Sequence, residues 1–328
     1  MPWAGRRLFV LLCLIFLTSC DGAQSALDPA GRSAEKISAL FWLMTTGAAI
    51  IWLAVVGLVV YSVFKTPGRN KHRETALIIV GGAVVPTIVL SILLAYGLSM
   101  MPAILSPAPV GSLKIAVTGE QWWWRVHYES SPGDPIVLAN EIRLPVGEPV
   151  ELQLESADVI HSLWIPSLGG KIDMIPGRQT RLKLEPTRTG VFRGVCAEYC
   201  GTSHTWMTFY VVVSSRADFD SWLDGQRKSA RSPDEPLATA GERVFINSGC
   251  GACHTIRGTD ATGVVGPDLT HVGGRMSLGA GTLSNEENDF HRWISQSHTL
   301  KPDVLMPSFN MLPHDDLHAL ANYLDSLE

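Results

Sequence analysis

Cys196-Ala-Glu-Tyr-Cys200-Gly-Thr-Ser-His204-Thr-Trp-Met207 is the densest run of metal-binding side chains in the sequence. One more histidine stands upstream, in Val159-Ile-His161-Ser-Leu-Trp164. Two thiolates, two imidazoles and a thioether make a soft donor set. Soft sulfur selects copper, zinc or iron–sulfur, and a weak axial methionine favours an electron-transfer copper site. The spacing lets the cysteines, His204 and Met207 converge from one loop, with His161 supplied by a neighbouring strand end. Two bridging thiolates can hold two coppers close enough to share one electron. The competing readings are a Cys196–Cys200 disulfide in an oxidising compartment and a zinc site, although structural zinc seldom recruits methionine.

Around this run, residues 108–224 alternate apolar with polar side chains in short stretches. Leu113–Val117, Val150–Leu154, Thr180–Leu184 and Thr208–Val213 are the clearest, separated by Pro-Gly and Gly-Glu turns. Period-two patterning with such turns predicts an all-β sandwich or barrel. Residues 225–237 are polar, carry Pro233 and Pro236, and read as a linker.

The remainder, 238–328, has helical texture and a second chemical motif, Cys250-Gly-Ala-Cys253-His254. This is the c-type haem attachment pattern: two thiols bond the haem vinyl groups and the adjacent histidine supplies an axial ligand. A redox disulfide would sit in a βαβ setting, which is absent here; half a zinc site is the other competing reading. Glu286–Ser297 places Phe290, Trp293 and Ile294 on one helix face. The last helix, opening at Pro313, buries Leu317, Leu320, Ala321 and Leu324. The histidines at 271, 291, 298, 314 and 318 read as surface residues. Eleven acidic side chains against five basic ones give this segment a negative field that steers a basic partner.

The amino-terminal half is of another character. Hydrophobic residues make up 46% of the 328 and charged ones only 17%, which directs attention to a membrane. Leu40–Phe64 and Ala76–Met101 are both long enough to cross one, since about 20 apolar residues suffice. They predict two transmembrane helices within 38–101, the second kinked at Pro86. Lys65, Arg69, Lys71 and Arg73 lie between them, so that loop is cytoplasmic and both flanks are outside. Residues 1–20 agree: Arg6-Arg7, an apolar run Leu8–Leu17 and small residues make an export signal. Leu17-Thr18-Ser19-Cys20 resembles the bacterial lipoprotein cleavage box, which implies acylation of Cys20 and loss of Cys13; ordinary cleavage or an uncleaved anchor is the alternative. A net charge of −5 argues against nucleic acid as partner.

The copper-type run has long companions: His161-Ser-Leu-Trp-Ile-Pro-Ser-Leu-Gly-Gly-Lys-Ile-Asp-Met-Ile-Pro-Gly-Arg178 and Gln121-Trp-Trp-Trp124. Together they closely resemble subunit II of cytochrome c oxidase, over residues 35 to 224. The resemblance implies a transmembrane helical hairpin and a cupredoxin-like barrel with a binuclear copper site, CuA. Its ligands would be His161, Cys196, Cys200, His204 and Met207, with Glu198 binding through its backbone carbonyl. The Glu198 carboxylate would face a magnesium ion shared with subunit I. Trp122 matches the tryptophan through which electrons enter; unaided, Trp122–Trp124 reads equally as a buried aromatic strand. Asp173 matches an acid near subunit I, and Glu74 one at the mouth of a proton channel, where the plain reading is a helix-start carboxylate.

Residues 237–328 resemble a class I cytochrome c, an all-α domain. Gly266-Pro267-Asp-Leu269 follows the haem box as in that family, where the proline packs by the axial histidine. Met306 best matches the distal ligand, with Met276 and Met311 as rivals; methionine ligation raises the haem potential.

These resemblances imply a haem c-fused subunit II in a bacterial inner membrane, both redox domains outside. Electrons would run from cytochrome c or another donor to haem c, then CuA, then haem in subunit I. There oxygen is reduced with proton translocation, and subunit III completes the complex. A copper-containing nitric oxide reductase subunit and a membrane-anchored carrier without an enzyme are the alternatives.

Overall fold

The computed structural model describes residues 22–64, 71–129 and 136–328. The expected export signal with Cys13 and Cys20, and Lys65 and Arg69 of the expected inner loop, lie outside the described residues.

Glu35–Ser106 forms a unit by itself. Helix α1, Arg32–Phe64, has 33 residues, about 50 Å of helix at 1.5 Å per residue. That exceeds a hydrocarbon core of about 30 Å. The second helical stretch runs from α2, Lys71–Ile79, through a π-helical turn, Val80–Val84, into α3, Val85–Leu105. The irregularity expected at Pro86 takes the form of that π turn. Pro86 follows that turn, at the start of α3. Both stretches are long and apolar enough to cross a membrane. Their apolar side chains are turned outward, Trp52 at 64% and Ile78 at 71% exposure, as suits a surface covered by something other than water.

The other unit comprises the segment before Glu35 and everything after Ser106. Its β part is two packed five-stranded sheets. One runs β3 (Ile136–Ala139), β2 (Trp123–Tyr128), β1 (Leu113–Glu120), β5 (Val150–Ser156), β8 (Thr180–Leu184). The other runs β4 (Glu141–Pro145), β10 (Thr208–Ser214), β9 (Gly190–Cys196), β6 (His161–Trp164), β7 (Ile172–Met174). β1 pairs parallel with β5, and β10 with β4; the other pairings are antiparallel. Alternation does the sorting. Ile115 and Val117, Leu152 and Leu154, Phe209 and Val211 face inward and are buried. Trp124 and Tyr128 fill the centre, and Trp124 meets Phe209 edge-on at 5.2 Å.

A helix, α4 (Arg216–Gln226), closes this part by burying Phe219 and Leu223, one turn apart. Ser215 caps it through a bond from Asp218 N. Between Gln226 and Pro236 the chain forms neither helix nor strand. Three helices then build the last part: α5 (Pro236–Asn247), α6 (Glu287–Leu300) and α7 (His314–Asp325). α5 and α7 pack together, with the Phe245 and Tyr323 rings 6.0 Å apart. His271 is a correction to the expected surface histidines. It is buried, its Nδ1 2.9 Å from Glu328 O and its Nε2 3.0 Å from Lys228 O. It ties the carboxyl terminus to the stretch after α4.

The helical part docks on the sandwich. Thr208 donates both N–H and Oγ1–H to Ala280 O, and Glu141 accepts from Met276 N at 2.8 Å. Arg125 donates to the Val264 carbonyl at 3.0 Å.

Candidate functional site

The sheet order determines which side chains meet. Cys196 ends β9 and Met207 immediately precedes β10, the neighbouring strand; Cys196 N donates to Met207 O at 2.9 Å. The loop between them therefore starts and finishes at one point. His161 begins β6, on the other flank of β9, where Leu163 pairs with Cys196. Three adjacent strand ends thus deliver the donors. On the facing sheet, Gly119 gives the imidazole room: a Cβ there would come within 2.8 Å of His161 Cδ2.

The cysteine sulfurs are free and 3.8 Å apart, nearly twice a disulfide length of about 2.05 Å. His161 Nδ1 is 3.9 Å from Cys196 Sγ, and His204 Nδ1 is 3.5 Å from Cys200 Sγ. Met207 Sδ is 3.8 Å from Cys200 Sγ, and the Glu198 carbonyl 3.2 Å from Cys196 Sγ. His161, Cys196 and Cys200 are buried with their donor atoms within 4.8 Å of one another. All six side chains or carbonyls singled out in this region come together. The set has the softness and compactness to hold copper on shared thiolates.

The electrostatics favour one thiolate in the pair, on Cys196. A hydrogen bond with Cys200 holds the Cys196 thiol far below the ordinary thiol range, and hydrogen bonds with His161 and the Glu198 backbone add to it. Cys200 moves the opposite way, through that same bond and through burial. Burial alone would push His161 down; its bonds to Cys196 and Asp158 outweigh that and raise it.

Asp158 is a residue of this site that the motifs do not reveal. Its Oδ1 lies 2.7 Å from His161 Nε2 and its Oδ2 accepts from Gln121 N. The bond fixes the ring so that Nδ1 points into the cluster, as carboxylates behind ligating histidines do. Its position three residues before His161 is the only sign of it in the sequence. Trp122 is buried and donates Nε1–H to the Cys200 carbonyl at 3.0 Å, joining the turn ahead of β2 to the loop. Glu198 turns its carboxylate outward, 44% exposed and 3.9 Å from Lys171 Nζ, beside Asp173. Glu74 sits in the first turn of α2.

The second motif lies just after α5. Cys250–Ala252 forms a 3-10 turn, and His254 N donates to Cys250 O at 3.0 Å. Both thiols are free. His254 Nδ1 is 2.8 Å from Pro267 O, which makes Nδ1 the donor and leaves Nε2 for a metal. Burial holds His254 below the usual imidazole range, in the neutral form a ligand requires. Gly266 has no choice of residue: a Cβ would come within 2.5 Å of His254 Cε1. Met306 packs against the helical core, and its carbonyl accepts from Ser297 Oγ at 3.0 Å. Met276 and Met311 are 40% and 72% exposed. Free paired thiols beside an imidazole already oriented through Nδ1 fit a covalently attached haem.

The family described as "Cytochrome C oxidase subunit II, periplasmic domain" matches residues 129–215, and the family described as "Cytochrome c" matches residues 238–328. "Cytochrome c oxidase subunit 2" of Alkalihalophilus pseudofirmus is 36% identical over 345 residues, covering 99% of this chain and 97% of that protein. The protein of the same name from Bacillus subtilis is 27% identical, covering 98% of each. Among solved structures, the periplasmic domain of subunit II of cytochrome oxidase of Bradyrhizobium japonicum is 30% identical over 38% of this chain and 97% of its own, with a TM-score of 0.34.

Proposed function

The chain belongs to the cytochrome c oxidase subunit II family, and from that premise we propose that it receives single electrons at a covalently held haem c and passes them through CuA to haem in subunit I. One observation carries the reading. The sulfurs of Cys196 and Cys200 stand 3.8 Å apart with His161, His204 and Met207 each within 3.9 Å of one of them. When bound, copper there supplies a one-electron acceptor, and haem at the second motif a one-electron donor whose potential a methionine ligand raises.

The residues divide the remaining tasks. Cys196 and Cys200, His161 and His204 through Nδ1, Met207 and the Glu198 carbonyl would hold the copper. Cys250 and Cys253 would attach the haem, and His254 and Met306 would hold its iron. Trp122, bonded to the Cys200 carbonyl, lies on the route by which electrons reach copper. The outward Glu198 carboxylate belongs to a magnesium site shared with subunit I, and Glu74 to the mouth of a proton channel. Fusion of the two centres in one chain makes their electron exchange intramolecular, at high effective concentration.

The basic residues between the helices support a loop inside and both redox domains outside the bacterial inner membrane; a Cys20 processed as in lipoproteins would carry its acyl chain on the outer side. Subunits I and III are the membrane partners, and oxygen reduction with proton translocation belongs to the assembled enzyme. The donor is a cytochrome c or another carrier with a basic face. Asp268 and Asp289 are buried beside Arg257 and Arg292, so the steering field comes from the other acids.

Purification from native membranes in mild detergent tests the reading. It expects co-purification of a large haem-bearing subunit, two coppers and one haem c on this chain, and oxygen consumption driven by reduced cytochrome c. Nitric oxide turnover in place of oxygen uptake would make it a nitric oxide reductase subunit. Isolation without a large partner would make it a free-standing carrier.

A further inference from the structure

Lys301 is 1% exposed, among the most completely buried large side chains of the protein. A charged residue is almost never placed so deep unless its donors are used. Here all three are. Nζ donates to Trp122 O at 2.6 Å, to Gly279 O at 2.8 Å and to Trp206 O at 2.9 Å. The three carbonyls come from three separate places: the turn between β1 and β2, the loop ahead of α6, and the 3-10 turn His204–Trp206 inside the copper loop. No carboxylate pairs with Lys301 among the described residues. An ammonium is the one side-chain group that offers three donors from a single atom at the end of a flexible stem.

Its surroundings extend the same joint. Lys301 follows α6, and the next residue, Pro302, accepts a hydrogen bond from Ser203 Oγ in the copper loop. Ser203 is adjacent to His204, and Trp206 is adjacent to Met207. Four residues beyond Pro302 comes Met306, held by Ser297 Oγ from α6. The methionine-bearing loop of the helical part thus rests on the loop that carries His204 and Met207. Thr208 fastens to Ala280, beside Gly279.

We infer that Lys301 is a positioning residue for electron transfer between the two centres: its ammonium pins the helical domain to the copper loop and fixes the gap that an electron crosses. The inference rests on the electron-transfer reading above. The step itself is a single transfer. One electron leaves ferrous haem, which becomes ferric, and reduces the oxidised copper pair by one; no bond is made or broken and no proton moves. Its rate falls steeply with separation, so a joint that swings open slows it even when both centres remain intact. The hydrogen bonds of Lys301 Nζ go to backbone carbonyls only, so it acts on the placement of the loops and bonds neither centre.

The test uses the detergent-purified complex with full metal content. Rapid photoreduction of haem c, followed by the absorbance of haem and copper, gives the transfer rate in the wild type and in Lys301→Met, which keeps the length of the stem and removes the donors. The expected result is a rate at least tenfold lower with copper and haem content, and both reduction potentials, unchanged. Trypsin cleavage between Gln226 and Pro236, at Arg227, Lys228 or Arg231, should accelerate in parallel. An unchanged rate overturns the inference, as does a slower rate fully accounted for by a shifted potential. If Lys301→Met fails to assemble with both metals, Ser203→Ala removes only the neighbouring bond to Pro302. It should slow transfer at least threefold, and an unchanged rate there overturns the inference equally. Absence of transfer in the wild type would remove the electron-transfer reading itself, whereas wild-type transfer that both variants match removes only the role of Lys301.

Discussion

Asp158 Oδ1 lies 2.7 Å from His161 Nε2, and that bond leaves the other ring nitrogen facing Cys196 Sγ at 3.9 Å. A carboxylate behind a ligating imidazole both orients the ring and increases its basicity. Replacing Asp158 with alanine should therefore weaken copper binding by about 10- to 100-fold while the fold stays intact. Competition against a copper chelator measures the loss, with far-ultraviolet dichroism as the control.

The thiols carry a prediction about copper-free protein. Cys196 is held below and Cys200 above the ordinary thiol range by one shared hydrogen bond. The pair should therefore lose its first proton well below the ordinary thiol pKa of about 8.5, and its second well above it. At about pH 7 one thiolate per pair should be present. Ultraviolet thiolate absorbance, corrected with the Cys196→Ser and Cys200→Ser variants, reads this directly. Two thiols titrating together near the ordinary value would contradict it.

Copper stoichiometry tests the ligand set. The full chain should bind two coppers and give a mixed-valence EPR signal. Cys200→Ser removes a bridging sulfur and should abolish that signal, leaving one copper or none.

At the haem motif, Met306 is packed on the helical core while Met276 and Met311 are largely exposed. Met306→Leu should remove the low-spin His/Met optical signature, and Met276→Leu and Met311→Leu should retain it. Retention in Met306→Leu would transfer the axial role to one of the others.

The sandwich owes much of its stability to Trp124, which is 0% exposed and packs edge-on against Phe209. Trp124→Ala should cost ~3–5 kcal/mol, the usual range for emptying an aromatic site in a core. Denaturant unfolding followed by dichroism measures it.

The donor types were legible in the sequence because their chemistry is local. Cys196, Cys200, His204 and Met207 share one loop, and Cys250-Gly-Ala-Cys253-His254 is contiguous. Strands with clean alternation, such as Thr180–Leu184, were readable too. β2 was not, since its Trp123-Trp-Arg-Val-His-Tyr128 mixes aromatic and charged groups on its partly exposed positions. β6 has only four residues, too short to display a period. Helix α4 hides its two buried anchors, Phe219 and Leu223, among acidic neighbours. His271 reads as a surface residue, and Lys301 carries no motif that would single it out. What buries them is a set of backbone carbonyls from distant segments, and backbone partners leave no trace in a sequence.

The stretch ahead of α1 has a consequence for how the protein is made. Ala30 N donates to Ser167 O, Gly31 pairs with Pro186, and Arg193 N donates to Ala23 O. Residues on either side of the helical pair are therefore stitched into one body, which requires an even number of crossings between them. Arg32 and its partner Glu185 are 153 residues apart. The leading segment must then wait, unfinished, until β6 to β9 have been synthesised and delivered to the same side of the bilayer. Its docking is a late event that reports completed synthesis of everything between.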